Sequence, residues 1–111
     1  MAGCGEQRAH ERLAIRAFRS AHPNIENVHF RAYYGEYSDG AIVVMMGSGG
    51  YFDVVGRESV AGKVFNYGDS CRISVVRDGE IKNLTEAYEL GWLTDQDIAD
   101  IWSKHCDIIA W

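Results

Sequence analysis

Long apolar runs are missing from this chain of 111 residues. No stretch approaches the roughly 18–20 apolar residues that cross a bilayer as a helix, and the sequence opens without a hydrophobic leader. Proline occurs once, and Ser/Gly-rich or low-complexity tracts are absent, so linkers and extended disorder are not expected. Positive charge is scarce: 11 Lys and Arg stand against 16 Asp and Glu, a net charge of −5. That balance argues against a nucleic-acid partner, which needs a concentrated positive surface. No Cys-x-x-Cys or His-x-x-x-His spacing offers a metal site, and His10, His22, His29 and His105 are scattered. No serine lies in a Gly-x-Ser-x-Gly elbow. Gly47-Ser48-Gly49-Gly50 suggests a phosphate loop. A P-loop, however, continues into Lys-Ser/Thr and a helix, and here Tyr51-Phe52-Asp53-Val54 follows, so the segment reads as a hairpin turn. The sequence therefore predicts no catalytic residues, no metal and no cofactor.

What is present suits one domain over residues 1–111: 47% of residues are apolar and aromatic side chains are plentiful. Residues 6–21 have helical periodicity, with Leu13, Ala14, Ala17, Phe18 and Ala21 on one face. Arg8, Arg12, Arg16 and Arg19 lie away from it, and His22-Pro23 ends the helix. From Val28 the pattern changes to strands parted by glycine turns: Val28–Tyr37, Ala41–Met46, Tyr51–Val55, Lys63–Tyr67, Cys71–Arg77 and Glu80–Lys82. Short turns of this kind mark antiparallel hairpins. Residues 56–62 show no clear period and read as a loop or bulged strand. Ala41–Met46 is apolar at both parities, which suits a central strand covered at least in part on both faces. Asn83 and Glu86 have capping-box spacing, Gly91 is a helix stop, and Thr94 with Asp97 caps a second helix carrying Ile98, Ile101, Trp102 and His105. The fold class is α+β: an antiparallel sheet of four to five strands, packed on one side by an N-terminal helix and two short C-terminal helices.

Charge is unevenly spread. Residues 1–22 carry four Arg against Glu6 and Glu11, while Glu86 to Asp107 holds six acids and Lys104. The opening Ala2-Gly3-Cys4-Gly5 has the form of a lipoprotein cleavage site after its leader, which makes Cys4 a lipidation candidate and residues 1–5 a lipobox remnant or a disordered start. If Cys4 carries lipid, Cys71 and Cys106 remain as an even pair that a disulfide would join; the other reading is three reduced thiols.

The order Cys71–Arg77, Asp78-Gly79-Glu80, Leu84, Glu86-Ala87-Tyr88, Gly91-Trp92-Leu93-Thr94 and Asp97-Ile98 resembles the ending of a group of small uncharacterised bacterial proteins. These occur mostly in gut Firmicutes, and many look like secreted lipoproteins. Tyr33-Tyr34-Gly35-Glu36-Tyr37, Ala41–Met46 and Val60-Ala61-Gly62 match the earlier part of the same pattern, so the resemblance covers roughly residues 28–105. It implies an envelope or secreted location and carries no activity.

The functional expectation is a non-catalytic binding or accessory domain of an envelope lipoprotein, with a protein partner. Strand parity places Phe30, Ala32, Phe52, Val54, Phe65, Ile73 and Val75 inward. It leaves an open sheet face of His29, Arg31, Tyr33, Tyr37, Tyr51, Asp53, Asn66, Arg72 and Ser74, a composition rich in the Tyr and Arg of protein-binding surfaces. Membrane contact would come only through the lipid and the Arg8, Arg12, Arg16, Arg19 face. Two alternatives stay open. One is a leaderless cytoplasmic or phage-borne inhibitor acting through its acidic C-terminal surface. The other is an enzyme of unrecognised class, which a pocket holding Asp53 or Glu58 beside His29 would favour.

Overall fold

The computed structural model describes residues 2–25, 27–48, 56–68 and 70–108, with side chains for all of these except 2–7, 39 and 105–108. The expected strand Tyr51–Val55, the terminal residues Ile109 to Trp111, and the side chains of Cys4, His105 and Cys106 lie outside that description. The chain runs α1 (Ala2–Ala21), β1 (His29–Glu36), a short 3-10 turn (Ser38–Gly40), β2 (Ile42–Gly47), β3 (Gly56–Val60), β4 (Lys63–Gly68), β5 (Cys71–Arg77), β6 (Glu80–Asn83), α2 (Leu84–Glu89) and α3 (Asp95–Ile108). Four strands form one antiparallel sheet in the order β1-β2-β5-β6, and β3 and β4 form a separate hairpin. The α+β class read from the sequence is the class of the molecule, and residues 56–60, without a clear period, are a strand.

The layering differs from the one-sided packing expected. Along β2 every residue is buried, and alternate side chains supply two cores. Val43 and Met45, with Ile73 and Val75 of β5, face a layer built from α2, α3 and the β3–β4 hairpin, filled by Phe65, Leu84, Leu93, Ile98 and Ile101. Ile42, Val44 and Met46, with Val76, face the opposite way and are covered by Ala14 and Phe18 of α1. Burying a side chain the size of Phe18 stabilises by roughly 1.5–3 kcal/mol, which is what fastens the amphipathic helix to this face. α1 and the C-terminal helices thus lie on opposite sides of the sheet.

β1 carries two register shifts, between Phe30 and Ala32 and between Tyr33 and Gly35. A bulge inserts one residue and reverses which side its neighbours face. Phe30 consequently packs with α1, whereas Ala32 packs with the other core. Strand parity alone had put both on one face.

The helix ends are as the sequence spells them. The Asn83 side chain accepts from Glu86 N–H at 2.8 Å while Glu86 accepts from Asn83 N–H at 3.3 Å. Gly91, at φ +80°, ends the turn after α2. Asp97 and Thr94 exchange the same reciprocal bonds at 3.0 and 3.1 Å at the start of α3.

Candidate functional site

Among the described residues, Tyr33 and Tyr37 do not share an open sheet face. Tyr33 points under α1, where its hydroxyl meets His10 Nδ1 at 2.8 Å, and His10 Nε2 lies 3.8 Å from Glu36. Tyr37 turns to the other side and donates to Asp100 of α3 at 2.5 Å. Lys104 closes that cluster, reaching Asp100 at 3.1 Å, the Tyr34 carbonyl at 2.9 Å and the Tyr37 hydroxyl at 3.1 Å. The Tyr37 and Lys104 bonds hold the Asp100 carboxyl below the usual carboxylate range. Two of the proposed contact tyrosines are therefore fasteners between layers.

The remaining residues of that proposed face are dispersed. His29 and Arg31 lie over Gly47, where a Cβ would come within 2.5 Å of the Arg31 guanidinium and 3.1 Å of the His29 ring. His29 also bonds the Asn27 carbonyl at 2.9 Å. Asn66 is exposed on the outer side of the β3–β4 hairpin. Arg72 is anchored by the carbonyls of Cys71 and Gly68 at 2.7 and 3.2 Å. Tyr51 and Asp53 lie outside the described residues. The layering accounts for the dispersal of Tyr33 and Tyr37: α1 covers the first and α3 takes the second.

Glu58, considered as an acid beside His29, is engaged elsewhere. Its carboxylate accepts from Tyr67 at 3.0 Å and from the Thr85 N–H and hydroxyl at 2.9 and 2.7 Å, tying the hairpin to the start of α2. Cys71 is a buried free thiol. Among the described residues no group of three His, Cys, Asp or Glu gathers as a metal site, and no helix is long and apolar enough to cross a membrane.

Two surface features remain. The outer side of α1 exposes Arg8, Arg12, Arg16 and Arg19, with a shallow recess around Ile15 between the last three. Arg12 bonds the Arg8 carbonyl at 3.4 Å and Arg19 the Val28 carbonyl at 3.1 Å, which orients both chains along the helix. At the C-terminal end of α1 a cleft of about 360 Å³ opens between the helix and the β5–β6 edge, with Phe18, His22, Arg72, Ser74, Ile81 and Asn83 among its walls. Sequence reasoning missed this cleft, although Ser74 gave a signal: it is a polar residue inside a strand that is otherwise apolar from Ile73 to Val76.

No protein-family model, no characterised protein and no solved structure matches the chain.

Proposed function

We propose that this chain is a non-catalytic binding and accessory domain of a small envelope lipoprotein, lying with α1 against anionic lipid headgroups and turning its acidic α2–α3 side toward a protein partner. The observation that carries the reading is the separation of charge across the sheet. The four exposed arginines of α1, with Glu11 among them, occupy one side, and the helices α2 and α3, with Glu89, Asp95, Asp97, Asp100 and Lys104, occupy the other.

That separation matters because the chain as a whole is negative. Stacked layers are about 10 Å apart, so the acidic helices lie about 20 Å from α1, beyond the Debye length of about 8 Å at physiological salt. An anionic surface meeting α1 is attracted by its arginines and screened from the rest. Near such a surface each basic residue contributes about 1 kcal/mol, so the four supply about 4 kcal/mol at most, reduced by Glu11 on the same helix. This corresponds to half-binding at about millimolar lipid. A lipid on Cys4, four residues before Arg8, would add the second signal that stable anchoring requires.

The test is co-sedimentation of the unlipidated protein with phosphatidylglycerol-containing vesicles and with phosphatidylcholine vesicles. Binding to the anionic vesicles alone, lost at high salt and in the Arg12→Gln/Arg16→Gln variant, is the expected outcome. Equal binding to both vesicle types, or anionic binding that survives in the folded double variant, would overturn the proposal. The intracellular-inhibitor reading uses the same acidic side and expects no preference between the vesicles.

A further inference from the structure

We propose that the cleft between the C-terminal end of α1 and strands β5–β6 binds a small uncharged carbonyl compound with an apolar body, such as an aromatic amide. The inference stands on the cleft alone and is independent of any membrane contact of α1. At about 360 Å³ the cleft is within the range of small-molecule sites. Its apolar walls are Ala21, Ile81 of β6, and Phe18, whose ring lies 4.6 Å from that of His22.

Ser74 is the residue that sets this cleft apart from a surface dimple. It is 4% exposed and lines the cleft, and it stands opposite Val44 on the face of the sheet that α1 covers. Its hydroxyl has no hydrogen-bond partner among the described residues. A buried hydroxyl left unmet is costly, and each such group calls for an explanation. A ligand atom that accepts from it accounts both for the hydroxyl and for the space in front of it.

The neighbours decide the chemistry of that atom. Asn83 of β6 stands directly opposite Ser74, so the two side chains share a face, with Cβ atoms about 4.5–5.5 Å apart. The Asn83 side-chain oxygen already accepts from Glu86 N–H, and its amide N–H groups have no partner among the described residues. Two donors at that spacing fit one oxygen with two lone pairs, as a carbonyl has. Neither Lys82 nor Arg72 is aimed at that oxygen. Lys82 stands opposite Val75, on the other face of the sheet, and Arg72 turns its guanidinium to the carbonyls of Cys71 and Gly68, against Gly56. The formal charge left on the walls is the Glu86 carboxylate, one of whose oxygens accepts from Asn83 N–H. An anionic ligand would meet that charge with no counter-ion, and an ammonium offers the two donors no acceptor, so the ligand is uncharged.

The probe is benzamide, with benzoate and benzylamine as anionic and cationic controls of nearly the same shape, followed by amide resonances in solution. Benzamide is expected to shift the amides of Ala21, Ser74, Ile81 and Asn83 saturably, and to bind at least threefold more tightly than either control. Ser74→Ala should weaken benzamide binding at least threefold while leaving the melting temperature unchanged or higher, because it deletes a hydroxyl that the unliganded protein does not bond. Ala21→Phe, at an exposed position on the cleft wall, should fill the space and abolish the saturable shifts in a folded protein. The outcomes that overturn the proposal are no saturable shift by about 10 mM benzamide, benzoate or benzylamine binding as tightly as benzamide, or unchanged benzamide binding in either folded variant.

Discussion

Tyrosine hydroxyls do much of the joining between layers in this molecule. Tyr33 meets His10 of α1, Tyr37 meets Asp100 of α3, and Tyr67 meets Glu58 and through it Thr85 of α2, while Tyr34 donates to the Met45 sulfur at 3.4 Å within the sheet. Burial first, and then Asp100 beside Tyr37, Glu58 beside Tyr67 and the Cys71 thiol near Tyr34, raise the pKa of Tyr34, Tyr37 and Tyr67 well above the ordinary value of 10. A folded-state pKa above the unfolded one favours the protonated form. The resulting stability is complete below about pH 10 and drains away as pH rises beyond it. In an alkaline titration followed at 295 nm, these three of the six tyrosines should stay protonated until the backbone unfolds, and then ionise together with it. Ionisation of all six near pH 10 with circular dichroism intact would contradict this account. These roles were not legible in the sequence, because Tyr has an apolar ring and a polar tip and fits a solvated sheet face as well as a layer boundary. Ser74 was legible as a sheet-face residue from parity, but its burial at 4% exposed is a property of the packed structure.

At the scale of elements, local chemistry was mostly legible where side chains bond their own backbone. The two capping pairs, Asn83 with Glu86 and Thr94 with Asp97, and the Gly91 stop are local in sequence and formed as spelled. So is the two-residue turn Asp78-Gly79, both residues at positive φ (49° and 80°), as a type I′ hairpin turn requires. Ala61-Gly62 makes the same kind of turn between β3 and β4, with Ala61 at φ +47°. Alanine gives no turn signal and is strained there, which explains why residues 56–62 read as irregular. Ala61→Asn, which places the favoured Asn-Gly pair at this turn, should stabilise the protein by about 0.5–1 kcal/mol in urea unfolding, with the denaturant slope unchanged. A variant less stable than the parent would show that the turn is held by something other than its backbone conformation. The bulges of β1 lacked any such local signature, and through them Phe30 changed sides.

For the molecule as a whole, β2 already contained the decisive information. A strand apolar at both parities needs cover on both faces, and the C-terminal helices with the β3–β4 hairpin supply only one. The second cover has to be the remaining amphipathic element, α1. Assigning all three helices to one side left Tyr33 and Tyr37 on one open face, whereas they join α1 and α3 on opposite sides of the sheet. With the layers in place, the basic and acidic segments lie on opposite sides of a body about 33 × 32 × 27 Å, and this gives the proposed function its orientation. The most direct test uses anionic vesicles containing a headgroup-spin-labelled lipid and follows the broadening of amide resonances in the bound protein. Broadening is expected to concentrate over residues 8–19 of α1, with residues 95–104 of α3 little affected. Broadening centred on α3 or on the β3–β4 hairpin, or spread evenly over the molecule, would contradict that orientation.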